Sequence, residues 1–244
     1  MGPTRPDMYG GNTLIRTVRR ALWLLGVAAT LAVSLSISPL AAAQSPGVGH
    51  TSPRVTPLAL FRAGQFLPAA DAAERTGGAD NLALAARALL AFSALDAADA
   101  DILPLTDRAI RACEGALALN PNHVEARVQL AIALGVKGRR MSARAALHSG
   151  FAQRGRALLE EAVALAPADP WARAALAGWH LEVWRRGGLA GATLLGADQR
   201  QGLALLAAAR QLDPANPALA LNQALALLEA DPVRHQAAVQ AALD

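Results

Sequence analysis

The sequence predicts an all-α protein built from repeated pairs of helices, on the evidence of its composition and of a proline that recurs along the chain. Apolar residues make up 53% of the 244 residues, but aromatic residues make up only 4%. The apolar excess is therefore mostly alanine and leucine, which favour helices. Valine, isoleucine, threonine and aromatic residues are too sparse for a sheet-rich protein.

The recurring proline has a nearly constant spacing. Pro121, Pro167 and Pro214 lie 46 and 47 residues apart, and each follows a stretch of helix-forming residues. A residue whose side-chain oxygen can cap the free N–H groups of a new helix comes soon after each proline. These capping residues are Asn122, Asp169 and Asn216. Pro170 and Pro217 fall in the first turn of the new helix, where a missing N–H costs little. Each site is therefore predicted to be a corner between two antiparallel helices.

The residues before each proline repeat a pattern of small, large and small side chains. The three copies are Ala109, Cys113 and Ala116; Gly155, Leu159 and Ala162; and Gly202, Leu206 and Ala209. Small side chains at the outer positions let two helices approach closely, and the residue between them fills the groove. Cys113, the only cysteine of the chain, is therefore expected to be a buried and unreactive core residue.

This pattern, followed by a proline and a capped helix, resembles the tetratricopeptide repeat (TPR). At that family's paired leucine-glycine and tyrosine sites the first two copies have Leu130, Ala131 and Leu134, then Leu176, Ala177 and His180. The third copy departs from the pattern at Gln223, and "AGQFLPAADAA" is similar to a further, degraded repeat upstream. The resemblance covers about residues 58–244 and implies a right-handed superhelical stack of antiparallel helix hairpins, an α-solenoid.

The repeat period is longer than the roughly 34 residues that tetratricopeptide repeats usually have, by about 12 residues per unit. The surplus is predicted to lie between the two helices of each hairpin, at "KGRRMSARAALHSGFAQRG" and "RRGGLAGATLLGADQRQ". Over about Met141 to Pro214 this lengthened hairpin resembles the regulator of microtubule dynamics family. That resemblance implies the fold; the microtubule association of animal members does not carry over to an exported chain.

The N-terminal segment predicts export from the cytoplasm. Arg16, Arg19 and Arg20 precede the apolar run "ALWLLGVAATLAVSLSI", and Ala41 and Ala43 fit the small positions of a cleavage site. These are the parts of a secretory signal peptide, so we expect a bacterial-type periplasmic or secreted protein that is cleaved after Ala43. The alternative is an uncleaved inner-membrane anchor, because the run approaches membrane-spanning length.

Three segments follow from these observations. Residues 1–43 are the predicted signal peptide, residues 44–57 a flexible leader rich in glycine, proline and serine, and residues 58–244 the helical repeat domain. Residues 1–43 hold four of the 23 basic residues and one of the 19 acidic ones, so the remainder carries about one net positive charge. That balance does not indicate a nucleic-acid partner, and contact with a membrane is expected only through an uncleaved N-terminal segment.

The sequence contains no recognisable catalytic or cofactor motif. Its five histidines lack the spacing of metal ligands on one helix, and no GxSxG nucleophile motif is present. The glycines of "GGLAG" follow no predicted strand and precede no Lys-Ser/Thr pair, so they do not form a phosphate-binding loop. We therefore expect a non-enzymatic protein with no cofactor and no metal.

A binding surface is predicted on the first helix of each repeat, which lines the concave face of a helical-repeat stack. Residues at i, i+4, i+7 and i+11 share one stripe of a helix. The three stripes are Glu125, Gln129, Ile132 and Val136; Trp171, Ala175, Gly178 and Glu182; and Ala218, Asn222, Leu225 and Glu229. Trp171 is the candidate aromatic anchor, whereas Trp179 and Trp184 are expected to pack in the core.

The expected function is a scaffold that binds a protein or peptide through this concave groove. The stripes lack the cations with which some family members grip a carboxylate, so apolar contacts and amide hydrogen bonds are expected instead. Two alternatives stay open: the groove is filled by the C-terminal "PVRHQAAVQAALD", or the protein carries a small ligand beside a tripartite transporter. A closed apolar pocket would favour the carrier and an open groove the scaffold; the identity of the partner and the oligomeric state stay open.

Overall fold

A computed structural model describes residues 55–230 of the chain, and ten helices without any strand run through this part. The predicted signal peptide, nearly all of the predicted leader and residues 231–244 lie outside the described residues. The helices are α1 (Pro57–Arg62), α2 (Phe66–Thr76), α3 (Ala79–Leu95), α4 (Ile102–Leu119), α5 (Val124–Arg139), α6 (Ala143–His148), α7 (Phe151–Leu165), α8 (Pro170–Leu195), α9 (Gln199–Leu212) and α10 (Pro217–Ala230). The predicted all-α fold class is confirmed.

The helices form a chain of hairpins in which each element packs mainly on its sequence neighbours. Helix α3 pairs with α4, α5 pairs with α7, and α8 pairs with α9, while α2 packs on α3 and α10 on α9. The first helices of successive hairpins also touch, α3 with α5 and α5 with α8. This is the arrangement of an α-solenoid, in which every hairpin buries its apolar face against the next one.

The small-large-small pattern lies at the helix contacts, as predicted. Cys113, Leu159 and Leu206, the three large residues of the pattern, are all buried. The flanking small residues Ala116 and Ala162 are fully buried as well. Cys113 is fully buried in the core, as expected, and this burial raises the pKa of its thiol, which disfavours the reactive thiolate.

A corner between two helices forms at each of the three prolines, and at two of them the predicted residue caps the new helix. Asp169 caps α8 by accepting the N–H groups of Trp171 at 2.7 Å and Ala172 at 3.2 Å. Asn216 likewise accepts the N–H groups of Ala218 and Leu219, at the start of α10.

The predicted cap at Asn122 is wrong. The side chain of Asn120 accepts the Asn122 N–H at 3.0 Å, which forms a local turn and delays the helix by one residue. His123 is then the cap, because its Nδ1 accepts the N–H of Ala126 at 3.2 Å.

Candidate functional site

A cavity of about 920 Å³ lies between the first helices α5, α8 and α10 and the segments that lengthen the hairpins. Its floor is formed by the concave faces of these three helices, and α7 and α9 contribute a few residues between them. The residues of α7 and α9 are Phe151, Ala152, Gly155 and Leu159, then Gln199 and Leu206. The cavity thus lies on the face where the repeat pattern predicts a groove.

The surplus residues of the two hairpins form walls of this cavity. In the first hairpin the surplus contains α6, which Ser142 caps by accepting the N–H of Ala145 at 3.3 Å. In the second hairpin the surplus extends α8 past a bend at Gly188, where φ is 56° and ψ is −159°. That backbone conformation is essentially restricted to glycine. The wall residues are Ala143, Ala146 and Leu147 from α6, and Ala190, Gly191, Leu194 and Leu195 from α8.

The end of the extended α8 is attached to the preceding hairpin by one arginine. Nη1 of Arg156, on α7, donates to the carbonyl oxygens of Leu195 and Gly196, both at 3.2 Å. These are terminal carbonyls that the helix itself cannot satisfy. Ala192 is buried at 1% exposure on the same turn. The end of the second wall is therefore fixed to the preceding hairpin.

Three tryptophans line the cavity: Trp171, Trp179 and Trp184. Trp179 is oriented by its indole N–H, which donates to the carbonyl oxygen of Ala152 at 2.9 Å, and the guanidinium of Arg156 lies 5.6 Å from its ring centre. Trp179 packs against the core residues Leu159 and Leu176, as expected, and it also lines the cavity. Trp184 is half-buried and lines the cavity too. The hairpin is widened by its surplus residues, which leaves these rings beside a cavity.

Charged side chains gather where α5 ends and α8 approaches its bend. Glu182 accepts from Nε of Arg185 at 2.9 Å and from its Nη2 at 2.6 Å. Burial lowers the pKa of Arg139 to about 9; the charge of Glu182 opposes this shift, while Arg186, Arg185 and Arg140 add to it. These charges influence Arg139 because they lie close to it in a partly desolvated site. Arg139, Glu182, Arg185 and Arg186 all line the cavity.

Comparison with known proteins identifies the architecture. The described structure is similar to the crystal structure of TTC0263, a thermophilic TPR protein in Thermus thermophilus, with a TM-score of 0.52 and 18% sequence identity. The match covers 70% of this chain and 78% of that one. The chain has a TPR-like fold. No protein-family model matches the sequence, and a search of curated proteins finds no match either.

Most of the predicted stripe residues of this TPR-like chain converge on the cavity. Those that line it are Ile132, Trp171, Ala175, Gly178, Glu182, Asn222, Leu225 and Glu229. They come from α5, α8 and α10, so the repeat register brings together side chains that are up to 97 residues apart in the sequence. Their role in binding a partner stays a prediction.

The remaining predicted residues of α5 lie elsewhere, because α3 packs beside that helix. Glu125 forms an ion pair with Arg87 of α3, with 3.1 Å between Oε1 and Nε. Burial raises the pKa of the Glu125 carboxyl group, and the charge of Arg87 opposes the shift. Gln129 is buried at 3% exposure, and Val136 packs against the core. These three residues do not line the cavity.

The arginines at the charged end of the cavity are not among the predicted binding residues. Arg139 and Arg140 recur 46 residues later as Arg185 and Arg186, at the same spacing as the prolines. That repeated pair is the signal that could have revealed them. In each repeat the pair lies about one helical turn after the predicted stripe, at the start of the surplus segment that a standard repeat lacks.

His180 has a structural role in the described part of the chain. It is fully buried, and its Nδ1 accepts the N–H of Asp198 at 3.1 Å, which links α8 to the start of α9. Burial lowers the pKa of its imidazole, and the charge of Arg156 adds to that shift.

Residues 55–230 contain no cluster of three or more potential metal ligands. Nor does any helix among these residues have the length and apolar character needed to cross a membrane.

Proposed function

We propose that this TPR-like chain is a non-enzymatic scaffold of the bacterial cell envelope that binds a protein or peptide partner in its concave cavity. The observation that carries the proposal is the convergence of α5, α8 and α10 on one cavity lined by three tryptophans. Aromatic side chains in a concave apolar site are the usual anchors of protein recognition. Asn222 and Glu229 supply polar groups in the same cavity, as an extended peptide or a partner helix requires.

The location in the envelope rests on the N-terminal segment. A basic flank, an apolar run and a small-residue site at Ala41 and Ala43 support export with cleavage after Ala43. Retention of the same segment would instead anchor the protein in the inner membrane. Either form would present the solenoid to the periplasm.

The experiment that tests this function is capture of a partner from a periplasmic extract by the purified chain and by Trp171→Ala. Trp171 lines the cavity and is half-buried, so its truncation removes an anchor. Loss of a buried aromatic anchor commonly weakens binding by about 2 kcal/mol or more, which is about 30-fold. We expect a discrete partner that the native chain retains and Trp171→Ala loses. A partner that both proteins retain equally would place the interaction elsewhere.

A second candidate function is transport or storage of a small ligand. It is favoured by the two surplus segments, α6 and the end of α8, which enclose the groove on a side that a shorter repeat would leave open. The volume of about 920 Å³ falls within the range of roughly 300 to 1,000 Å³ that small-molecule sites occupy. Such a carrier could serve a tripartite transporter. Binding of a small apolar molecule without any protein partner would support it.

A further inference from the structure

The arginines at the insert end of the cavity form a positively charged surface beside an apolar one. Here the insert end means the part formed by the last turn of α5, the bend of α8 and α6. Arg139 and Arg185 occupy equivalent positions of two successive first helices, 46 residues apart. Because α5 and α8 pack side by side, their last turns lie on the same side of the solenoid. The guanidinium groups therefore come from two different repeats.

Positive charge exceeds negative charge at this end. Arg139, Arg185 and Arg186 line the cavity together with two carboxylates, Glu182 and Glu229. Glu182 accepts two hydrogen bonds from Arg185. One positive charge is left over among these five groups, and Arg140 nearby interacts with Asp99 at 3.1 Å. An anionic group that enters this end would offset the repulsion among the arginines.

The apolar surface begins within the same insert end. Trp184 precedes Arg185 on α8, and Leu147 and Phe151 face the cavity from α6 and the start of α7. Leu194 lines the cavity with 65% of its surface exposed, and Leu147 does so with 40%. Exposed leucines at the edge of a cavity form a surface that an apolar chain would cover. Cationic and apolar groups are thus adjacent in one site.

We propose that the insert end of the cavity binds a small amphipathic carboxylate, a molecule with one carboxylate and an extended apolar body. The carboxylate pairs with the guanidinium group of Arg186, whose planar geometry suits a carboxylate, and the neighbouring Arg139 adds positive charge to the site. The apolar body lies along Trp184 and Leu147 toward the middle of the cavity. This inference rests on the second candidate function and names the chemical class of its ligand.

The test compares dodecanoate with dodecanol, two probes that share an apolar chain and differ in charge. Both are titrated at submicellar concentration into the purified full chain, and binding is followed by tryptophan fluorescence, since three of the four tryptophans line the cavity. We expect dodecanoate to bind at least about tenfold more tightly than dodecanol, because a charge-assisted hydrogen bond contributes about 1.5 kcal/mol or more. Equal affinity of the two probes, or binding of neither, would overturn the proposal.

Arg186→Gln separates a specific site from general surface binding. Arg186 is exposed on α8, so its replacement leaves the contact of Arg185 with Glu182 in place. Arg200→Gln is the matched control, because Arg200 is also exposed and on a helix but does not line the cavity. Arg186→Gln should weaken dodecanoate binding about tenfold and leave dodecanol binding unchanged. An equal effect of both variants, or no effect of Arg186→Gln, would contradict the assigned site.

Two further outcomes distinguish this inference from the proposed scaffold. Capture of a protein partner that depends on Trp171, without any dodecanoate binding, would leave the scaffold standing and remove the carboxylate site. A variant ending at Ala230 tests whether the chain's own C-terminal residues occupy the insert end of the cavity. Dodecanoate binding only in that shortened variant would mean that residues 231–244 fill the site in the native chain, and would overturn the proposal.

Discussion

Replacement of Gly178 by leucine is expected to block partner binding while the protein stays at least as stable as the native chain. Gly178 lies on α8 in the middle of the predicted stripe, is exposed and lines the cavity. A Cβ atom built at this position meets nothing within 4 Å, so a side chain can begin there without a backbone clash, and the position lines the binding space. Leucine is also favoured over glycine in a helix by up to about 1 kcal/mol.

The effect on binding should be large, because the new side chain excludes the partner from the volume between α5 and α10. We expect capture to fall by about a hundredfold or more, which corresponds to roughly 3 kcal/mol. Gln153→Leu is the matched control: Gln153 is exposed on α7 and does not line the cavity. Thermal denaturation measures the stability of each variant, and quantitative pull-down measures its capture of the partner. Undiminished capture by Gly178→Leu would show that the partner binds outside the cavity.

The second large effect is expected at Gly202, where α9 lies close to α8. A Cβ atom at this position would lie 2.9 Å from Cγ and 3.0 Å from Cδ2 of Leu181, and 3.2 Å from the carbonyl oxygen of Ala177. The backbone carbonyl cannot move without displacing α8. Overpacking of this kind costs about 1 to 3 kcal/mol, and the better helix propensity of alanine offsets up to about 1 kcal/mol of it. We expect Gly202→Ala to lower the free energy of unfolding by about 1 to 2 kcal/mol.

Gly155 provides an internal control, because it occupies the same position one repeat earlier. A Cβ atom there would lie 3.8 Å from the carbonyl oxygen of Ala131 and 3.9 Å from Cδ1 of Trp179. These are ordinary van der Waals separations, so Gly155→Ala should raise the free energy of unfolding by up to about 1 kcal/mol. Denaturant titration of both variants would measure the difference. If both substitutions changed the free energy of unfolding in the same direction, the helices of the two hairpins would have to be packed at similar distances.

The fold could be predicted because every repeat encodes it locally. Pro167 and Pro214 each end a helix, and Asp169 and Asn216 start the next one through hydrogen bonds to its first N–H groups. Helix termini are determined by residues within a few positions, so one sequence suffices to locate them. The cap after Pro121 was missed by one residue because Asn120 accepts the N–H of Asn122 and holds that residue in the turn before the helix.

The candidate site was only partly predictable, because its boundary depends on contacts between distant segments. The stripes of α8 and α10 follow from helical periodicity, and Trp171, Asn222 and Leu225 do line the cavity. The corresponding part of α5 is covered by α3, and no residue near Glu125 or Gln129 in the sequence predicts this contact between the two helices. Likewise, the path of the surplus residues depends on the bend at Gly188 and on the contact of Arg156 with Leu195. The repeat spacing predicts neither the bend nor the contact.

The most direct test of the binding cavity is site-specific photo-cross-linking in living cells, with a benzophenone amino acid in place of Glu229. Glu229 lines the cavity but is exposed, so the probe faces the partner without filling the site. The same probe in place of Gln153, on α7 outside the cavity, is the control. We predict a discrete protein adduct from position 229 that is absent from position 153 and lost when Gly178→Leu is added. Adducts from position 153 alone, or adducts from position 229 that persist with Gly178→Leu, would contradict the cavity as the binding site.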